Sequence, residues 1–298
     1  MKLKVLAIVD RPGYKLKLMN PWGSVITVTR NSASRIANAI DSVLSQSYRP
    51  LEYIVIDGAS TDGTLDIVRS FGARISRLIS EKDGGIYFAM NKGLLASSGT
   101  RIIYLNSDDS FAHSDALSSL VGAREACGGD GPAICYSDFI KHYPSLDRSM
   151  LMKPDTAFER GFALCHQAML VDRSAYDLVG NFDTSFRYAA DHDWTVRAKR
   201  AGVRFIRANV APTVVFRHGG ASHSSYRASR SEAGKVILRE YGRVAYLRYT
   251  ARQHWVHMLR VSSDLLLRLI GPRYLAALQR FYFRTVRRYR RSDQTSAS

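Results

Sequence analysis

Two adjacent carboxylates at the end of an apolar run carry the first chemical signal in this sequence. Residues 101–109 read RIIYLNSDD. Ile102, Ile103, Tyr104 and Leu105 form a short β-favouring run that stops at Asn106-Ser107-Asp108-Asp109. The run reads as a buried central strand with Asp108 and Asp109 at its carboxyl end. In open α/β sheets that edge is where ligands bind, and adjacent hard oxygen ligands suit a divalent cation that keeps waters and holds a diphosphate. The same pair also serves to cap a following helix, which residues 114–126 predict, so these nine residues leave both readings open.

The elements that must position this pair alternate regularly. Residues 25–29 and 53–56 read as strands, and residues 75–79 as a third. Behind the first strand, Ile36, Ile40, Val43 and Leu44 fall at helical spacing after Ser32 or Ser34 as cap. Behind the second, Leu65, Val68 and Phe71 face inward after the polar turn at residues 58–64. Behind the third, Ile86, Met90, Leu94 and Leu95 share a face, with Gly99 as C-cap. Strand and helix in strict alternation predict a parallel sheet covered on both faces, a nucleotide-binding α/β half. Farther on, residues 133–136 and 168–171 read as strands, 173–179 as a short helix stopped by Gly180, and 189–201 as a helix opening on Asp191-His192-Asp193. Residues 1–24 are ambiguous: residues 5–9 suit an edge strand, and Pro12-Gly13 and Pro21-Trp22-Gly23 are turns.

The bounds agree with a globular chain. There are 298 residues, 46% of them hydrophobic, ample for a core. Cys127, Cys135 and Cys165 are scattered without metal-ligand spacing, which predicts a reducing compartment. The apolar run before Asp10 and Arg11 is too short for a secretory signal, and no stretch approaches the roughly 18 apolar residues of a spanning helix. The expectation is a cytoplasmic protein.

Charge divides the chain. Residues 227–291 contain 15 arginines and one lysine against Glu232, Glu240 and Asp264, so most of the net charge of +17 lies there. That asymmetry predicts a catalytic domain over 1–226 and a basic amphipathic helical extension over 227–298 with a disordered tail. Leu275, Leu278, Tyr282, Val286 and Tyr289 line up at helical spacing; so do Trp255, Leu259, Ser262, Leu266 and Leu269, with Gly271-Pro272 separating the two helices. Such helices suit an anionic membrane surface, and equally a helical pair with a solvated basic face.

Five segments in order, VITVTRN, YIVIDGASTDGT, SEKDGGIYFAMNKG, YLNSDD and ADHDW, resemble the family 2 glycosyltransferases of the GT-A fold, of the kind that build bacterial exopolysaccharide and lipopolysaccharide. The resemblance covers about residues 24–220. It implies a UDP- or GDP-sugar donor, a saccharide or polyprenyl-diphosphate-linked saccharide acceptor, and Mn²⁺ or Mg²⁺ as cofactor. Thr29 and Asp57 would flank the nucleobase and ribose, and Asp83 would approach them from the third strand. Asp62 reads first as a helix cap. Asn106 stands where many members carry Asp, so the metal falls to Asp109, with Asp108 on ribose or metal. Phe88 is a second departure, since near relatives commonly have Asp there. Asp191 would be the base that takes the acceptor proton, with Asp193 the alternative; singly, each also reads as a first-turn helix acid. His218, beside Arg217, would be a further metal ligand or phosphate donor, and His166 would touch the acceptor or serve as a structural histidine. The implied reaction is a single in-line displacement with inversion.

Two rivals come from other classes. An Arg-rich tail with tyrosines suits nucleic acid, but no RNA- or DNA-binding module accompanies it, so no specific nucleic acid is expected. A nucleotidyltransferase would also use carboxylates and a metal, but the first half lacks a phosphate-cradling Gly-rich loop with Lys or Arg.

Overall fold

The computed structural model describes residues 23–129, 131–162, 164–219 and 226–270. The proposed edge strand at 5–9, its turns and the helix beyond Pro272 lie outside these residues. Two compact units divide the chain, Met1–Val236 and Ile237–Ser298.

The first unit is built on a seven-stranded sheet. Four parallel strands form one side: β1 (Gly23–Thr29), β2 (Leu51–Asp57), β3 (Arg77–Ser80) and β4 (Arg101–Tyr104). The third strand thus begins two residues later than the apolar pattern predicts. β6 (Ala133–Tyr136), β9 (Met169–Asp172) and β10 (Arg204–Arg207) complete the order β10-β6-β9-β4-β1-β2-β3. All seven residues of β1 are buried, as a central strand covered on both faces requires.

Helices cover both faces. Ile26 and Val28 point to the side packed by Met90 and Leu94 of α3 (Ile86–Ala96) and Trp194 of α6 (Ala190–Arg200). Val25 points to the side packed by Ile36, Ile40 and Val43 of α1 (Ile36–Leu44) and Leu117 and Leu120 of α4 (Ala116–Ala126). Each such side chain, fully removed from water, contributes about 1.5–3 kcal/mol. Gly93 sets the closeness of α3: a Cβ there would lie 2.4 Å from Ile26 Cγ2. α2 (Thr64–Ser70) follows β2, and α5 (Arg173–Val179) follows β9.

One reversal matters for function. β9 runs antiparallel to β4 and β6, so its beginning, not its end, lies at the carboxyl edge of β4. Residues 165–168 therefore arrive beside Asp108 and Asp109. A second sheet, in the order β5-β11-β7-β8, stands at the same edge: β5 (Ser110–Phe111), β7 (Phe139–Tyr143), β8 (Arg148–Met152) and β11 (Val214–Arg217). β11 runs antiparallel to β5, and this brings Arg217 back to the end of β4.

α7 (Tyr226–Ile270) is interrupted at Gly242, where φ 80° and ψ −178° leave helical space. Its first turns belong to the first unit, Met1–Val236. The reason is visible in Glu232. Its carboxylate accepts hydrogen bonds from the backbone N–H of Arg187 (3.1 Å), Tyr188 (2.7 Å) and Ala189 (3.0 Å), fixing the loop into α6. None of the described helices is long and apolar enough to cross a membrane.

Candidate active site

The carboxyl edge of β1, β2 and β4 gathers most of the expected site residues, but it uses them unequally. Asp57, at the end of β2, is completely buried. Its carboxylate accepts from Ser60 N (3.1 Å), Ser80 Oγ (2.7 Å) and Ser60 Oγ. Those bonds tie the turn after β2 to the end of β3. Thr29 is also buried, and its hydroxyl has no hydrogen-bond partner among the described residues. Asp83 holds the turn before α3 by accepting from Gly85 N at 3.0 Å, while its other oxygen lies over Gly58, where a Cβ would come within 3.0 Å. Arg30 packs against the same glycine, a neighbour the sequence did not single out. Asp62 does act locally: it accepts from Thr64 N (3.1 Å) and Ala33 N (3.0 Å), bonding the β1–α1 and β2–α2 loops together.

Asp108 and Asp109 point to different tasks. Asp109 is 3% exposed, and both its oxygens are taken, by Gln167 Nε2 at 2.7 Å and Arg217 N at 2.8 Å. Cys165 Sγ donates to Gln167 Oε1 at 2.9 Å, which leaves the amide nitrogen to face Asp109. Burial, and then the neighbouring Asp108, push the Asp109 carboxyl well above the usual range. Asp108 is half-buried, and burial raises it too, against the opposing pull of Arg35, His166 and Arg217. Among the described residues no partner side chain hydrogen-bonds the Asp108 carboxylate.

His218 packs on the second sheet. Its ring stacks on Tyr143 with centroids 4.6 Å apart, and its backbone N–H donates to the backbone carbonyl of His142 at 2.8 Å. Among the described residues there is no cluster of three or more His, Cys, Asp or Glu side chains arranged to hold a metal. The structure therefore does not join His218 to Asp108 and Asp109 as a ligand set.

The two acids opening α6 separate cleanly. Asp193 is buried and held by Arg197 Nε at 2.8 Å; the same guanidinium also donates to Val179 O and Asn181 O. It serves the helix. Asp191 instead is half-buried and lines a small cavity, with its Oδ1 accepting from Tyr87 OH (3.0 Å) and His192 N (2.9 Å) and its Oδ2 3.1 Å from His166 Nδ1. Burial favours protonation of Asp191, but the hydrogen bond and charge of His166, then the other donors, outweigh it and hold the carboxyl below its ordinary value. An ionised carboxylate only accepts, so His166 carries its proton on Nδ1. Its Nε2 is buried with no hydrogen-bond partner among the described residues, beside a small cavity lined by Phe162, Leu164, Met169 and Thr195. Burial pushes the Tyr87 phenol well above its usual range, and Asp191 adds to that, so Tyr87 remains a donor.

Neighbouring His192 gives this corner a pH dependence. It is 3% exposed, and burial pulls it down to about 4, against the weaker opposite effects of Asp191 and Asp193. A histidine whose folded pKa lies below the unfolded value near 6.5 binds protons in the unfolded chain first. Its contribution is complete above about pH 6.5 and is lost as pH falls towards 4. Between pH 8 and pH 5 the loss amounts to about 2 kcal/mol. Urea unfolding of wild type and His192→Asn at both pH values measures this: the wild type loses about that much more than the variant.

Comparison with known proteins follows the same outline. The model of Glycosyl transferase family 2 matches residues 24–169. The "PGL/p-HBAD biosynthesis glycosyltransferase" of Mycobacterium tuberculosis is 32% identical over 184 residues, 59% of this chain and 69% of that protein. Among solved structures, S. aureus TarS 1-349 in complex with UDP superposes with a TM-score of 0.56 at 18% identity, over 74% of this chain and 66% of that one. Mannosyltransferase PcManGT from Pyrobaculum calidifontis, in complex with GDP-Man and Mn²⁺, superposes with a TM-score of 0.59 at 19% identity, over 95% of this chain and 84% of that one. At these identities the two structures speak to the fold.

Proposed function

The chain belongs to glycosyl transferase family 2, a glycosyltransferase of GT-A fold, and from that premise we propose that it transfers a sugar, with inversion, from a UDP- or GDP-sugar to a saccharide or polyprenyl-diphosphate-linked saccharide acceptor. Assembly of a cell-surface polysaccharide or glycolipid at the cytosolic face of the membrane is the setting in which such an acceptor is met. The ligands of the fold neighbours, UDP and UDP-GlcNAc in TarS and GDP-Man with Mn²⁺ in PcManGT, support a nucleotide-sugar donor.

The observation that carries the reading is the position of His166. It is 3.1 Å from Asp191 and close enough to Asp108 to favour its ionised form. One histidine thus joins a carboxylate suited to the donor diphosphate and a carboxylate suited to the acceptor proton, at one sheet edge.

A divalent cation fits this donor set. Asp108 and Asp109 are adjacent carboxylates that burial pushes toward protonation, an environment a cation would reverse. Asp108 would hold it, with phosphate oxygens and water completing the shell, while Asp109 keeps the loop in place through Gln167 and Arg217. When bound, the cation neutralises charge on the departing nucleoside diphosphate.

The chain's own residues do the rest. Thr29, Gly58 and Asp83 shape the nucleoside pocket, and Asp57 supports its floor. Arg35 and Arg217 place positive charge beside Asp108, where the diphosphate would lie. Asp191 takes the proton of the attacking acceptor hydroxyl, and Tyr87 and His166 orient its two oxygens. A single displacement needs no covalent intermediate.

Calorimetric titration with UDP and GDP, with and without Mn²⁺, tests the donor reading. One nucleotide is expected to bind, and more tightly with the cation. Binding of neither under any condition would overturn it.

A further inference from the structure

The second unit carries an exposed face that the transfer reaction does not use. After the break at Gly242, Val244, Leu247, Ala251, Trp255 and Met258 follow one another at spacings of three, four, four and three, which stacks them along one side of a helix. Their exposure is high for apolar side chains: 63% for Val244, 64% for Leu247, 66% for Trp255 and 64% for Met258. Arg248 and Arg252 border this stripe on one side, Arg243 and His254 on the other, all exposed. Residues 243–258 contain no acid. Tyr249, on the opposite side of the helix, is buried.

We infer that this face is a docking surface for an anionic lipid leaflet, with the helix lying in the plane of the interface. The stripe is narrow and cation-bordered, and its exposed Trp255 suits the boundary between acyl chains and headgroups. A second copy of the chain fits poorly, because pairing two such stripes sets Arg243, Arg248 and Arg252 against their own kind with no carboxylate between. Nucleic acid would meet the arginines but leave the aliphatic side chains unmatched. The surface would bring the first unit to lipid-linked acceptors, an extension of the transferase reading that stands on separate observations.

Sedimentation of the full chain with phosphatidylcholine vesicles, with and without phosphatidylglycerol, tests it. The wild type pellets with the anionic vesicles. Combined serine substitution of Val244, Leu247, Trp255 and Met258, which leaves the charge unchanged, reduces partitioning about tenfold or more. Replacing Arg243, Arg248 and Arg252 by glutamine reduces it about fivefold per residue. Circular dichroism and UDP or GDP binding, measured on each variant, show that the first unit is intact. No preference for anionic vesicles, equal pelleting of the serine variant, or loss of a self-associated dimer in that variant would each overturn the lipid assignment. Donor binding that fails while pelleting persists would count against the transferase reading alone.

Discussion

Asp191→Asn is expected to lower sugar transfer about 10²–10⁴-fold while leaving nucleotide affinity unchanged, the range for removal of a positioned general base. The substitution conserves size, and Tyr87 OH and His192 N can still donate to the remaining carbonyl oxygen. What disappears is the proton acceptor and the carboxylate oxygen that His166 Nδ1 meets. The matching change at Asp193 reads differently. Asp193→Asn weakens the ion pair with Arg197, which also secures two backbone carbonyls of the preceding loop. Its effect is on stability first, so the unfolding midpoint falls before the turnover of correctly folded enzyme does. Steady-state kinetics beside urea denaturation separates the two.

The second large effect lies at the neighbouring pair. Asp108→Ala is expected to lower metal-dependent turnover about 10²–10³-fold, comparable to removing one electrostatic stabiliser from an active site, with little change in folding. Asp109→Asn should do the reverse. An amide offers one acceptor oxygen where Gln167 and Arg217 supply two donors, so one buried donor is left unmatched at a cost of about 1–3 kcal/mol. Measuring the Mn²⁺ dependence of turnover together with the unfolding free energy for both variants distinguishes a residue that meets the cation from one that holds the loop.

Much of the scaffold was readable from the sequence because its strands are buried and its helices amphipathic. β1, β2, β4 and α1 to α6 all announce themselves through continuous apolar runs or through 3.6-residue spacing. β7 does not, since every residue of Phe139–Tyr143 is half-buried and no period-two contrast appears. The motifs located the site's edge, but the burial of individual carboxylates was out of reach. Asp57 and Asp109 share a residue type with Asp108, and only the fold shows that the first two spend both oxygens on neighbouring loops. The assembly around Asp191 was equally hidden: Tyr87 comes from α3 and His166 from the turn before β9, 104 and 25 residues away. Of the stripe expected from Trp255 to Leu269, only Trp255 has a described side chain. The exposed face instead runs back from it towards Gly242, a break that an isolated glycine in a helical pattern signals weakly.

The central claim is that Asp108 and Asp191 serve one reaction, displacement of a nucleoside diphosphate from a sugar. It is tested most directly by following nucleoside diphosphate release from a panel of UDP- and GDP-sugars with Mn²⁺ or Mg²⁺, using the full chain supplied with bacterial membrane lipid extract. Metal-dependent release from one donor is expected, dependent on the extract and lost in both Asp108→Ala and Asp191→Asn. Failure of every donor to turn over, or release that survives both substitutions, would contradict it.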